Sequence, residues 1–203
     1  MCLQPYMSQV AFSGQLVPVE SARDRRHGYR RKRCLRHPTF SRFAFLAAAN
    51  GRKHRHTPVW FMRQAGRSLP EYKAIRGSGS ILEAIKQPTL SAEITLQPFL
   101  RYGVDAAVLY SDIVVPPHAV GFGIDVAPGT GPVAENAFRS PDDLKRLRPL
   151  EADDVSYVIE TVKLLVAELP TSVPLLAFAG APFTVASYLI EGRPSRTYQN
   201  TKR

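Results

Sequence analysis

Cysteine is scarce in this chain, and that scarcity excludes two classes of protein. The 203 residues contain only two cysteines, Cys2 and Cys34, and both lie near the amino terminus. Two cysteines build neither the disulfide framework of a small secreted domain nor the thiolate set of a structural zinc site. The histidines offer no alternative cluster, since only His54 and His56 are neighbours and His118 stands alone. We therefore expect no protein-bound metal.

Long apolar runs are also missing. No stretch approaches the roughly 18 to 20 apolar residues that a membrane-spanning helix needs. Nor does the chain show the charged, apolar and small-residue progression of a secretory signal. We expect a soluble, cytoplasmic protein.

Acidic residues are nearly absent from the stretch that carries most of the charge. The formal net charge is +10, and within residues 23–42 Asp24 is the only acid. Nine cations lie in that stretch: Arg23, Arg25, Arg26, Arg30, Arg31, Lys32, Arg33, Arg36 and Arg42. Residues 1–44 are therefore predicted to be a basic, disordered extension outside any packed unit. A nucleic-acid contact or an organelle-targeting peptide are the alternatives, and an unstructured extension is favoured over both.

The glycine-rich loops that hold nucleotides are missing as well. No G-x-G-x-x-G loop follows an apolar strand, and no P-loop occurs. The glycines at 121, 123, 129 and 131 have a different spacing and context. Nucleotide cofactors are therefore disfavoured, and we expect no cofactor.

What the chain does have, past residue 45, is an alternation of apolar strands and amphipathic helices. Strands are predicted at 59–62, 106–110 and 174–178, and helices at 71–76, 81–85, 91–102, 141–147 and 153–169. The Pro- and Gly-rich segment 114–132 is predicted to be a long loop. Strands that are apolar throughout indicate a parallel sheet covered by helices. The fold class is α/β, either a (β/α) barrel or an open doubly wound sheet.

Polar residues follow each predicted strand. The first strand runs into Arg63 and Arg67, and Gly66 between them allows a tight backbone turn. Two guanidiniums at this spacing suit an anionic ligand, either a polycarboxylate or a phosphate. The second strand ends at Asp112, and the third runs towards Tyr188. Because the carboxyl ends of parallel strands meet on one face, these four side chains are expected to share a pocket.

Three strings together indicate a family. PVWFMRQAGRSLPEY, LYSDIVVPPHAVGFGIDVAPGTGP and FAGAPFTVASYLIEG, in this order, closely resemble uroporphyrinogen decarboxylase of haem biosynthesis. The resemblance runs from about residue 45 to residue 196. It implies a (β/α)8 barrel, a homodimer, and cofactor-independent removal of CO2 from the four acetate side chains of uroporphyrinogen III to give coproporphyrinogen III.

The resemblance also implies roles for individual residues. The substrate-binding loop is Arg63, Gln64, Ala65, Gly66 and Arg67, and Tyr188 contacts the substrate near the reacting acetate. Asp112 is the central carboxylate that accepts hydrogen bonds from the pyrrole N–H groups. Asp112 and Arg63 are the candidate catalytic residues. A guanidinium pKa above about 12 makes carboxylate binding the favoured role of Arg63 over proton donation.

The chain is too short for the complete (β/α)8 barrel that the resemblance implies. A barrel of this class needs about 250 residues, whereas residues 45–203 offer 203 − 44 = 159. Residues 45–203 are therefore expected to form the amino-terminal half of a barrel whose carboxyl-terminal half is absent. On this view the last strand has an unpaired apolar edge, and we expect the truncated chain by itself to be inactive, poorly soluble or a gene fragment.

Two other functions remain open. A methyltransferase of the same fold superfamily is the alternative enzyme, although those proteins lack the full RQAGR loop. A nucleic-acid-binding protein acting through the basic extension is the alternative of another class, and its binding would fall steeply with salt.

Overall fold

The computed structural model describes residues 43–60 and 69–203, and within them it contains seven α-helices and four short strands. The helices are α1 (Ala44–Ala49), α2 (Pro70–Arg76), α3 (Ile81–Ile85), α4 (Pro88–Tyr102), α5 (Val115–Ala119), α6 (Ser156–Glu168) and α7 (Pro182–Glu191). The strands are β1 (Ala107–Val108), β2 (Ile124–Ala127), β3 (Gly131–Ala134) and β4 (Leu175–Leu176). None of these helices is long and apolar enough to cross a membrane.

Strands β1 and β4 pair in parallel, as the apolar strands predicted. Ala107 lies opposite Leu175 and Val108 opposite Leu176. The ladder is extended by the N–H of Leu109, which donates to the carbonyl of Leu176 at 2.9 Å. Both strands are shorter than the predicted segments 106–110 and 174–178.

The reason β1 ends early is visible at Tyr110. Its N–H donates to Thr95 Oγ1 at 2.9 Å, and its carbonyl accepts from Ser91 Oγ at 3.0 Å. Thr95 Oγ1 in turn donates to the carbonyl of Ser91 at 2.8 Å. Two buried hydroxyls of α4 therefore satisfy the backbone groups that a longer strand would present to its neighbour.

The first predicted strand, 59–62, is only half described by the structure. Residues 59 and 60 are not in a strand, and residues 61 and 62 lie outside the described residues. One backbone hydrogen bond links this segment to the approach to β1: the N–H of Asp105 donates to the carbonyl of Val59 at 3.0 Å.

Helix α4 begins and ends as local sequence rules require. Pro88 occupies its first turn, where a missing N–H is harmless, so the helix begins three residues before the predicted Ser91. Gly103 closes it in the left-handed conformation, with φ of 64°, directly after the predicted end of the helix at residue 102. Helix α6 packs on α4 around Ala92, Leu96 and the fully buried Leu165. The predicted helix 153–169 begins as a 3₁₀ turn, Ala152–Val155, which leads directly into α6.

The prediction of a long loop over 114–132 is wrong. This segment contains α5 and the antiparallel hairpin of β2 and β3, in which Ile124 pairs with Ala134 and Ala127 with Gly131. Gly129, with φ of 75°, supplies the turn. The proline-rich start was misread because Pro116 lies in the first turn of α5, where proline is tolerated.

The larger core cluster lies between α3, α5, the hairpin and α7. Its fully buried members are Ile85, Ile94, Val114 and Ile124. The described residues thus form an α/β arrangement built on one parallel strand pair, and the partial barrel remains a prediction.

Candidate active site

The candidate site lies partly outside the described residues. Arg63, Gln64, Ala65, Gly66 and Arg67 all fall in residues 61–68, which the structure does not describe. Asp112 and Tyr188 are described, and they can be placed relative to the parallel strands.

Asp112 follows the carboxyl end of β1 and is half-buried. Its Oδ1 accepts the N–H of Val114 at 3.0 Å. Its carbonyl accepts the N–H of Val115 at 3.2 Å, so α5 begins directly behind it. Burial raises the pKa of the Asp112 carboxyl, and the N–H groups of Val114 and Ile113 oppose that rise. Since a carboxylate can accept about four hydrogen bonds, Asp112 retains capacity for a ligand.

The segment that follows β4 leaves the sheet on the same edge as Asp112. The two strands are parallel, so residues 177–181 continue beside residues 109–113. The contact is close at Gly180, where a Cβ would lie 3.2 Å from Ile113 Cβ. Two aromatic side chains of this region, Phe178 and Phe183, are 46% and 54% exposed. The edge therefore combines a half-buried carboxylate with accessible apolar surface.

Tyr188 lies on α7 and is only partly buried. It packs against the core cluster that contains Tyr110 and Val114, the residues on either side of Asp112. Among the described residues, no hydrogen bond joins Tyr188 to Asp112. Tyr188 therefore packs on a cluster that contains chain neighbours of Asp112.

A tyrosine pair beside Asp112 was not singled out from the sequence. The hydroxyl groups of Tyr72 and Tyr110 lie 3.4 Å apart, and their rings meet edge to face with centroids 6.0 Å apart. Burial and the neighbouring Tyr72 raise the pKa of Tyr110, while Arg76 acts in the opposite direction. Arg76 also donates to the carbonyl of Gly79 at 2.7 Å. The available signal was a tyrosine ending an otherwise apolar strand, two residues before Asp112.

The described residues offer no obvious metal centre: within 43–60 and 69–203, no group of three or more His, Cys, Asp or Glu side chains is arranged to hold a metal ion. At the carboxyl end of β1 the described residues place the half-buried Asp112 carboxylate and the exposed apolar side chains of Phe178 and Phe183. A half-buried carboxylate with spare acceptor capacity suits a ligand that donates hydrogen bonds.

Comparison with known proteins identifies the family. The profile described as "Uroporphyrinogen decarboxylase (URO-D)" matches residues 41–203. The chain belongs to the uroporphyrinogen decarboxylase family. The resemblance drawn from the three motifs is therefore confirmed.

Curated relatives are close in sequence but much longer. A uroporphyrinogen decarboxylase of Salinispora tropica is 56% identical over 158 residues, which cover 78% of this chain and 42% of that protein. One from Streptomyces avermitilis is 57% identical over 159 residues, covering 78% of this chain and 44% of that protein. The chain thus spans less than half the length of these relatives.

A solved structure supports the fold class. A methyltransferase from Methanosarcina mazei matches with a TM-score of 0.57 and 24% identity, over 75% of this chain and 46% of that one. At this identity the likeness concerns the fold alone. It agrees with the α/β arrangement seen here.

Proposed function

We propose that this chain belongs to a uroporphyrinogen decarboxylase, the enzyme by which uroporphyrinogen III loses four acetate carboxyl groups as CO2 and becomes coproporphyrinogen III. Family membership supports the reaction. The single structural observation that carries the proposal is the half-buried Asp112 carboxylate at the edge where the two parallel strands end.

In this proposal Asp112 binds the centre of the macrocycle. The carboxylate has remaining acceptor capacity for pyrrole N–H donors. When a pyrrole carbon is protonated, the ring becomes cationic and a half-buried negative charge beside it is effective, because the local dielectric is below that of water. The cation in turn favours the ionised form of Asp112 and opposes the pKa rise that burial causes.

The decarboxylation then needs no added cofactor, because the substrate ring itself accepts the electron pair. Protonation of the ring prepares it to accept an electron pair. The bond between the acetate methylene and its carboxylate breaks, CO2 leaves, and the pair moves into the ring. A proton added at the methylene gives a methyl group, and loss of the first proton restores the pyrrole.

The remaining predicted residues complete the proposed site. Arg63 and Arg67 hold substrate carboxylates, Gln64, Ala65 and Gly66 form the loop between them, and Tyr188 lies against the reacting acetate. Arg63 is also the second candidate catalytic residue. We further propose that residues 45–203 form part of a (β/α)8 barrel, that the protein acts as a homodimer, and that it is cytoplasmic.

Binding of uroporphyrinogen III, kept reduced under anaerobic conditions so that its four pyrrole N–H groups are present, tests the proposal on the full 203-residue chain. Asp112→Asn keeps the shape but replaces one acceptor oxygen by an N–H₂ donor. Hydrogen bonds to charged groups contribute about 1.5–3 kcal/mol, so we expect affinity to fall by about 10- to 150-fold. The matched control is Asp142→Asn, since the Asp142 side chain is 82% exposed and, among the described residues, forms its ion pair with Lys145. Equal binding by both variants would refute the role of Asp112.

Turnover is measured on the same samples. Chromatography of the reaction mixture detects the intermediates with seven, six and five carboxyl groups and the product with four. Products that appear with Asp142→Asn and not with Asp112→Asn would assign the reaction to this site.

A further inference from the structure

Tyr110, two residues before Asp112, is bonded to α4 through both of its backbone groups. Its N–H donates to Thr95 Oγ1 at 2.9 Å, and its carbonyl accepts from Ser91 Oγ at 3.0 Å. Thr95 Oγ1 donates its own proton to the carbonyl of Ser91 at 2.8 Å. Because a hydroxyl has a single proton to donate, that bond leaves a lone pair of Thr95 Oγ1 for the Tyr110 N–H. The three hydrogen bonds therefore join three residues in a closed loop in which each bond orients the next.

This loop of hydrogen bonds is shielded from water. Ser91 and Thr95 are each 1% exposed, and Tyr110 is buried. A buried N–H that loses its acceptor cannot turn to solvent, so the bond between Tyr110 and Thr95 is costly to break. Burial also means that no substrate reaches the Thr95 hydroxyl. Any effect of Thr95 on binding has to pass through another residue.

Asp112 is held on its other side as well. Its Oδ1 accepts the N–H of Val114 at 3.0 Å, and its carbonyl accepts the N–H of Val115 at 3.2 Å. Both valines are buried. Only Ser111 separates Asp112 from Tyr110, and each residue has just two free backbone dihedral angles. The carboxylate therefore lies between two fixed points, one set by α4 and one by the start of α5.

We propose that Thr95, aligned by Ser91, is a positioning residue for the Asp112 carboxylate. Without the Thr95 hydroxyl the N–H of Tyr110 has no acceptor, and the backbone that leads to Asp112 shifts. A hydrogen bond weakens steeply with distance and angle, so a shifted carboxylate binds a donor less well. The effect on uroporphyrinogen binding rests on the proposed function of Asp112, whereas the position of the carboxylate does not.

The chain supplies a matched control at Thr161 of α6. Thr161 is also 1% exposed, and its Oγ1 donates to the carbonyl of Tyr157 at 2.8 Å, one turn back, as Thr95 does to Ser91. Among the described residues, Thr95 alone of this pair also accepts a backbone N–H. Thr161→Val therefore removes a buried hydroxyl and its intrahelical bond, and Thr95→Val removes in addition the acceptor for Tyr110. Thr95→Ser keeps the hydroxyl and loses only the methyl group.

Hydrogen exchange of the Val114 amide, measured by nuclear magnetic resonance on the full chain, reports where the Asp112 carboxylate lies. The Leu189 amide of α7 is the internal reference for overall stability. Relative to that reference, we expect Val114 exchange to be at least about tenfold faster in Thr95→Val than in Thr161→Val, because Asp112 Oδ1 no longer stays on the N–H. Thr95→Ser should remain within about twofold of the parent chain.

Titration with uroporphyrinogen III under anaerobic conditions gives the dissociation constant of each variant. We expect Thr95→Val to bind about five- to tenfold more weakly than Thr161→Val, because hydrogen bonds to the displaced carboxylate are weakened. Thr95→Ser should restore binding to within about twofold of the parent. In an Asp112→Asn background, Thr95→Val should weaken binding by less than about twofold more, since it acts through that carboxylate. A purely structural residue would add its full effect.

Equal Val114 exchange in Thr95→Val and Thr161→Val would overturn the positioning of Asp112 by Thr95. Faster exchange with unchanged uroporphyrinogen binding, where Asp112→Asn does weaken binding, would overturn the effect on the site. If Asp112→Asn itself leaves binding unchanged, the proposed role of Asp112 fails, while Val114 exchange still decides whether Thr95 positions the carboxylate. Ser91→Ala removes only the donor to the Tyr110 carbonyl, and it carries the same comparison if Thr95→Val does not fold.

Discussion

Adding a single methyl group at Gly180 should disturb the candidate site. A Cβ at this residue would lie 2.5 Å from Val185 Cγ2 and 3.2 Å from Ile113 Cβ. The first distance is shorter than any that real Cβ atoms adopt, so Gly180→Ala forces a movement. Val185 cannot rotate away freely, because a β-branched side chain in a helix has one strongly preferred rotamer. Ile113 is the neighbour of Asp112, so its displacement reaches the carboxylate.

The size of the effect follows from overpacking. Inserting a methyl group into a filled space costs about 1–3 kcal/mol. Replacing glycine also stiffens the unfolded chain, which stabilises the folded state by about 0.4–1 kcal/mol and works in the opposite direction. Gly79→Ala is the matched control, since Gly79 has no neighbour within 4 Å and no positive φ. Relative to that control, Gly180→Ala should lower the free energy of unfolding by about 1–3 kcal/mol.

Urea denaturation followed by far-ultraviolet circular dichroism measures the free energy of unfolding of both variants. Gly180→Ala should also weaken uroporphyrinogen binding, whereas Gly79→Ala should not. Combining Gly180→Ala with Val185→Ala removes the clashing Cγ2, so the double variant should lose less stability than the sum of the single losses. Equal stability of Gly180→Ala and Gly79→Ala would show that the close approach to Ile113 is not tight in solution.

Three further outcomes are expected. Thr95→Val leaves the buried N–H of Tyr110 without its acceptor, and should cost about 1–3 kcal/mol in urea denaturation; a neutral result would mean that water reaches this amide. The raised pKa of Asp112 means that the folded state holds its proton more tightly than the unfolded chain, so its ionisation removes stability as pH rises through that pKa. Asp112→Asn should therefore be more stable than the parent at neutral pH and lose that advantage in acid, and the opposite pH trend in denaturation would contradict the burial argument. Arg148 lowers the pKa of Asp154 to about 2, and carboxyl titration by nuclear magnetic resonance should show that pKa returning towards 3.8 in Arg148→Gln.

Local rules predicted α2, α3 and α4, whereas α1, α5 and α7 were not predicted. The end of α4 beside Gly103 depends on residues only a few positions apart, so it could be read from the sequence. The family could also be recognised from the sequence, because its three motifs are short strings of consecutive residues. The hairpin at 124–134 was missed because glycine and proline mark turns in a hairpin as well as in an irregular loop.

Long-range contacts set the rest. The early end of β1 depends on hydroxyl groups of Ser91 and Thr95, 19 and 15 residues from Tyr110, and no local pattern announces such a pairing. The bond between Asp105 and Val59 spans 46 residues. Sequence reasoning placed Asp112 and Tyr188 by family likeness, but it could not give the close approach at Gly180, which depends on how two strands are aligned.

The hydroxyl groups that terminate β1 have a mechanical consequence. The peptide units just ahead of Asp112 are fastened to the side of α4 and not to a neighbouring strand. A displacement of α4 would therefore act directly on the backbone ahead of Asp112, in addition to any movement passed on through the bond between Leu109 and β4.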